Sequence, residues 1–183
     1  MRNPLPPAEL VRRIALTVPT LQALTAGLDQ QTWLTRPAIG EWSITETVCH
    51  LRDVDREIHL PRLQSIIAEE NPFMPGVVSD GWVTERDYQA QNGKAALAAL
   101  ASSRAELLAI LPAAESPIWE RNGRHTFFGP TSFLELVCLA LEHDILHLGQ
   151  VKEILSAGTD LGEEIIGDSM LRHGFGQEFD PGA

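Results

Sequence analysis

The sequence predicts an all-α fold, a four-helix bundle, and three observations carry that prediction. Apolar residues recur at three- and four-residue spacing through four long segments. Two Ser-x-x-Glu capping boxes, Ser43 with Glu46 and Ser132 with Glu135, mark where two of those segments begin. No stretch shows the sustained alternation of a strand ladder. With 183 residues, 44% of them hydrophobic, the chain can bury a substantial core and fits one domain better than two. The expected division is a bundle over residues 1–158 and a tail over 159–183.

Helix one is expected from Pro7 to Leu28, its stripe made by Leu10, Ile14, Leu21 and Leu24, with Pro19 placed to kink it. Helix two starts at Ser43 and continues to about Glu70, with Pro61 positioned to bend it. Asn71 to Gly81, holding Pro72, Pro75 and Gly76, reads as a loop. Helix three spans Thr84 to Leu111, rich in Ala and Leu, with Gly93 as its weak point. Between Pro112 and Pro130 lies a loop in which Asn122-Gly123 can form a small hairpin turn. Helix four opens at Thr131 or Ser132 and runs to Ala157, where Gly158 stops it. The glycine-rich segment Leu161 to Ala183 is expected to pack as turns and a short helix.

A formal net charge of -11 argues against a nucleic-acid partner, because phosphate binding draws on clustered Lys and Arg. The same balance disfavours anionic membrane surfaces. Met1 to Pro7 lacks the apolar core of a signal peptide, and no apolar run approaches the roughly 20 residues that span a bilayer. A cytoplasmic location is expected. Cys49 and Cys138 are the only cysteines, and both fall in helical segments, which favours free thiols over a disulfide.

The chemistry concentrates in helix four. Phe133, Leu136, Ala140, His143, His147, Gln150 and Ile154 form one stripe, so two imidazoles occupy positions where a core face would hold aliphatic side chains. Neutral imidazoles one turn apart can share a divalent ion. His50, beside the stripe positions Thr47, Leu51 and Val54 of helix two, is the candidate third ligand. His59 lies nine residues further on, about 180° around a regular α-helix, so it and His50 are not expected to face one site. His125 and His173 fall in loop and tail.

Gly40-Glu41-Trp42-Ser43, Glu46, His50-Leu51 and Asp53, together with His143-Asp144-Ile145-Leu146-His147-Leu148-Gly149-Gln150, resemble the DinB/YfiT superfamily over about Leu10 to Ala157. The resemblance implies an up-down-down-up bundle with a long crossover between helices two and three, frequent homodimers, and a divalent metal held by three histidines. Carried onto this chain, those are His50, His143 and His147. Proteins of this kind include transferases using bacillithiol, mycothiol or related thiols, a mycothiol-dependent maleylpyruvate isomerase, and metal-dependent hydrolases.

Three imidazoles leave a tetrahedral zinc one open position for water or a thiolate, and nickel, iron or manganese also suit imidazole. The expected activity is therefore a thiol S-transferase or a hydrolase acting on a small molecule, with a low-molecular-weight thiol as cosubstrate in the first case. The competing reading is a non-catalytic dimeric metal-binding or stress-response protein. Asp53 and Glu57, one and two turns after His50, and Gln150, three residues after His147, are the candidate groups beside the metal. Asp144 imitates the acid of HExxH metalloproteases, but it is a methylene shorter, and that reading is rejected. Trp42 is read as a staple at the bundle end, whereas Trp82, Trp119, Phe127 and Phe128 either line a mouth or cover the core. Leu134, Val137, Leu141 and Leu148 widen the apolar face of helix four beyond one core contact and suggest a dimer surface.

Overall fold

Prolines decide where the bundle helices break, and capping boxes decide where they start. The computed structural model describes residues 5–159, so the tail expected beyond them lies outside the described residues. Helix one is divided into α1 (Pro7–Ile14) and α2 (Thr17–Thr25). The break precedes Pro19 by a turn, since proline offers no N–H to the carbonyl of Ala15 and its ring crowds that carbonyl. A short α3 (Gln30–Leu34), which the periodicity did not reveal, is capped by Asp29, whose carboxylate accepts from the Thr32 N–H at 2.8 Å. It delivers Trp33 into the core.

Helix two comprises α4 (Ile44–Val54), a π-helical turn (Asp55–His59) and α5 (Leu60–Ala68). The capping box forms as expected. Ser43 Oγ accepts from the Glu46 N–H at 3.3 Å, and the Glu46 carboxylate accepts from the Ser43 N–H at 2.8 Å. Pro61 acts differently from the expected bend. It has no N–H for the Glu57 carbonyl, and the helix widens so that the Leu60 N–H reaches back five residues to Asp55.

A long connection then carries β1 (Phe73–Met74), α6 (Trp82–Glu85) and a 3-10 turn, Tyr88–Ala90. Asp87 is left-handed, with φ 46°, and ends any helix begun before it. Helix three accordingly starts later than Thr84, as α7 (Gly93–Ile110), with Asn92 Oδ1 capping the Ala95 N–H at 3.0 Å. Gly93 is no interior weak point but a close-approach position. A Cβ there would lie 2.4 Å from the Trp33 ring and 2.7 Å from Thr45 Oγ1.

The absence of strands is also corrected. After a 3-10 turn (Pro117–Glu120), β2 (Asn122–His125) pairs with β3 (Gly129–Ser132) antiparallel and with β1 parallel, in the order β1-β2-β3. Asn122 and Gly123 sit inside β2, and the hairpin turns at residues 126–128 instead. Gly123 is needed where the Pro72 carbonyl and the Met74 side chain press against it. Finally α8 (Phe133–Thr159) begins behind its own capping box, the Glu135 carboxylate accepting from the Ser132 N–H at 2.7 Å, and runs past Gly158 rather than stopping there.

The chain is thus a four-helix bundle of up-down-down-up order, its long crossover joining helices two and three. Its core falls into two apolar clusters. One gathers Trp33, Val48, Leu51, Tyr88, Leu100 and Val151; the other gathers Leu10, Ile14, Leu63, Leu107, Phe133 and Val137. A fully buried polar layer separates them. Arg104 of α7 binds Asp55 through Nε and Nη2 at 2.8 and 3.1 Å, and Asp144 of α8 through Nη1 and Nη2 at 2.5 and 2.9 Å. Arg104 also donates to the Ile14 carbonyl at 3.0 Å, while Thr17 donates to Asp144 at 2.7 Å. All four helices are therefore tied at one level. Burial raises the Asp55 carboxyl above its ordinary value, and the guanidinium opposes that shift.

Trp119 packs edge-on against Phe133 at 5.3 Å as core, and Trp82 lies under the Arg86 guanidinium at 3.8 Å. Phe127 and Phe128 stay exposed at the hairpin tip. Of the residues expected to form a second apolar face on α8, Val137 and Leu141 are buried, and Leu134 and Leu148 pack against the core. The exposed apolar side chains of that helix are Ile145 and Leu146, 54% and 51% accessible. Both cysteines are free.

Two variants check these contacts. Arg104→Leu strands two buried carboxylates and should cost about 3–5 kcal/mol in urea unfolding, a range set by broken buried ion pairs. A loss within the error of the titration would show that the layer does not hold the helices. Gly93→Ala should also destabilise the protein in that assay, because the added methyl meets the Trp33 ring and Thr45 Oγ1. Greater stability would mean that Trp33 does not seat where described.

Candidate metal centre

The stripe on α8 turns His143 and His147 inward, and α4 brings His50 to meet them. The Nε2 atoms converge: His50 and His147 each place theirs 3.1 Å from His143 Nε2. Tetrahedral zinc with Zn–N bonds of about 2.0–2.1 Å requires nitrogens about 3.3 Å apart, close to the two separations that involve His143. Among the described residues, His50, His143 and His147 form the group able to hold a metal ion, all ligand atoms lying within 4.8 Å of one another.

The outward ring nitrogens complete this picture. His147 Nδ1 lies 2.7 Å from Gln150 Oε1, so the ring donates from Nδ1 and keeps the Nε2 lone pair for the cluster. The partner the structure gives Gln150 is therefore His147. The Nδ1 atoms of His50 and His143 are buried and have no partner among the described residues. Such groups cost about 1–3 kcal/mol each, an arrangement that folding alone does not favour.

Asp53 and Glu57 lie close by but are held by other groups. Asp53 accepts from Arg52 at 2.6 Å, and from Arg86 and the Tyr88 hydroxyl at 2.8 Å. Glu57 is chelated by Arg86 at 2.6 and 2.9 Å. Burial works to raise the Asp53 carboxyl, yet the hydrogen bonds from Arg52, Tyr88 and Arg86 hold it below the usual carboxylate range. Neither carboxylate hydrogen-bonds a histidine.

Two further residues reach the cluster. Trp42 lies parallel to the His147 ring at 5.8 Å and tilts against His50 at 4.9 Å, so it covers the histidines as well as the bundle end. His59, expected on the opposite face, meets the His143 ring edge-to-face at 5.5 Å. The π turn is the reason. Residues in a π turn advance by less than 100° each, so the chain has rotated less by His59 than a regular helix would. A proline four residues after a carboxylate on an otherwise regular pattern was the sequence signal that could have found it.

All four rings favour the neutral form. Burial, then His147, push His50 down to about 3, and burial pushes His59 down to about 4. His143 is lowered by burial and its three histidine neighbours, and His147 by burial against opposing help from Gln150. Since the folded values lie below the unfolded value of about 6.5, stability is full above that pH and is lost as pH falls toward the folded values. Each proton taken up only by the unfolded chain contributes a slope of about 1.4 kcal/mol per pH unit. Metal-free protein should therefore melt at steadily lower temperature from about pH 6.5 down to about pH 5, above the carboxylate range. A flat melting profile over that interval, measured by circular dichroism in chelator, would contradict buried neutral rings.

Comparison with known proteins bears on the fold and the family. No curated protein matches the chain. Among solved structures, YfiT from Bacillus subtilis, described as a probable metal-dependent hydrolase with an unusual four-helix bundle topology, superposes with a TM-score of 0.74 at 16% identity. The match covers 84% of this chain and 87% of that one. The model of the DinB superfamily matches residues 13–151, so the chain belongs to the DinB superfamily.

Proposed function

We propose that this protein is a metal-dependent enzyme that activates a low-molecular-weight thiol or a water molecule for attack on a small electrophilic substrate. The observation that carries this reading is the convergence of three neutral imidazoles through Nε2, two of them buried and His143 partly so, with two buried Nδ1 atoms lacking partners among the described residues. Three protein donors suit a divalent ion with a position left over, whereas structural zinc sites close with four. A bound ion there would supply Lewis acidity, lowering the pKa of a thiol or water at that position.

The remaining work falls to this chain's residues. His50, His143 and His147 hold the ion, and Gln150 fixes the His147 tautomer. Trp42 keeps solvent from the His50 and His147 side of the cluster. Asp53 and Glu57 form a carboxylate-guanidinium rim with Arg52 and Arg86 that can orient a charged thiol or substrate. Zinc is the proposed occupant, with nickel, iron and manganese as alternatives that imidazole also accepts. Exposed Ile145 and Leu146 on α8, with Leu16 also exposed, support a homodimer. The reduced cytoplasm is the proposed location, consistent with two free cysteines.

One observation favours a second reading. His50 and His147 are 2% and 4% accessible beneath Trp42, the enclosure expected of an ion that stabilises or senses rather than reacts. Metal analysis of wild-type protein and His143→Ala separates these readings when combined with turnover of thiols and electrophiles. The enzymatic reading predicts one divalent ion per chain, its loss in the variant, and metal-dependent turnover. It also predicts that a bacillithiol- or mycothiol-like thiol shifts the visible spectrum of cobalt-substituted protein, since sulfur alters the ligand field. Metal loss and a lowered melting temperature in His143→Ala, without turnover by either protein or a thiol-dependent shift, would leave the non-catalytic reading standing.

A further inference from the structure

We propose that His59 is the positioning partner of His143, its Nε2 accepting, directly or through one water, the proton that His143 carries on Nδ1 when its own Nε2 faces a metal ion. The inference rests on the three-histidine metal reading and extends it to a residue outside the ligand set. His143 turns Nε2 toward both neighbouring rings at 3.1 Å, and a neutral imidazole that ligates through Nε2 must hold its proton on Nδ1. That Nδ1 is buried and has no partner among the described residues. His59 Nε2 is likewise buried and without a partner, and the two rings meet edge-to-face at 5.5 Å with an interplanar angle of 73°. The two unpartnered atoms become complementary, donor and acceptor, when His59 carries its own proton on Nδ1.

The carboxylates around the cluster are bound elsewhere and neither hydrogen-bonds His143. The Asp144 carboxylate is held by Arg104 and Thr17, and Asp53 by Arg52, Arg86 and Tyr88. His147 already has the corresponding arrangement, with Gln150 Oε1 at its Nδ1. Metal-bound imidazoles generally use the second nitrogen in this way, and the partner fixes both tautomer and ring orientation. His59 lies outside the group whose ligand atoms cluster, so it is not a fourth ligand. The π turn, Asp55–His59, gives this position its purpose: a regular α-helix would carry the ring away from His143.

Two variants of the full chain test the pairing. His59→Phe keeps a planar ring against His143 but removes the acceptor; His59→Gln returns an acceptor near the position of Nε2. In competition with a zinc chelator, His59→Phe should bind zinc about 10–100-fold more weakly than wild type, and His59→Gln should recover most of the loss. Metal-free melting temperatures should not fall in His59→Phe, because an unpaired polar atom has been replaced by an apolar one of similar shape. In zinc-loaded wild type, ring nitrogen NMR should find the His143 proton on Nδ1. Equal zinc affinity in wild type and His59→Phe overturns the pairing alone, as does an equal loss in both variants. Wild-type protein that takes up no zinc, nickel, iron or manganese overturns the metal reading and this inference with it.

Discussion

A single guanidinium sets the level at which the bundle is assembled. Arg104 is buried between the two apolar clusters, where a lone cation would be severely penalised, and it is tolerated because Asp55 and Asp144 approach from two other helices. The Ile14 carbonyl and Thr17 complete the layer from the first helix. Apolar packing alone would accept a slide of one helix past another by a turn, but this set of directional bonds would not. The layer therefore fixes register, and through Asp144 it fixes the height and rotation of α8 at the residue next to His143. The position of the histidine cluster is inherited from that constraint.

The second determinant is Pro61. By denying the Glu57 carbonyl a donor, it favours a π turn, and the extra residue in that turn has two consequences. Asp55 is presented to Arg104, and His59 is rotated onto His143. One local backbone irregularity serves both the polar layer and the histidine cluster. The chain accepts a poorer helix in exchange for placing two polar side chains where a regular helix would place one.

The centre also opposes the stability that the layer provides. Burying neutral imidazoles with unpaired nitrogens destabilises the metal-free chain, and a bound ion would recover that cost by mass action on the folded state. Trp42 covers His50 and His147, while Arg52, Asp53, Arg86 and Glu57 pair with one another on the helix that carries His50 and on the crossover. Burial keeps the rings neutral, and the nearby Asp53 carboxylate works against it at His50.

Much of this was legible in the sequence because it follows from local periodicity. The three- and four-residue stripe turned His143 and His147 inward, the capping boxes located the starts of helix two and helix four, and motif order joined His50 to the pair. These features depend on spacing within one helix, where geometry is nearly fixed. Arg104 shares the stripe spacing of Leu97, Leu100 and Leu107 but was not singled out from the sequence, and its partners could not have been, since pairing across helices depends on register. His59 was excluded by an angle valid only for an unbroken α-helix. The short strands escaped because runs of two to four residues carry too little alternation, and Asn122-Gly123 was drawn into β2 by pairing with β1 and β3. The sequence by itself determined the bundle and its three histidines; the tertiary structure alone decided which carboxylates meet cations and which fourth histidine meets the site, because those contacts form between elements whose relative rotation no single helix encodes.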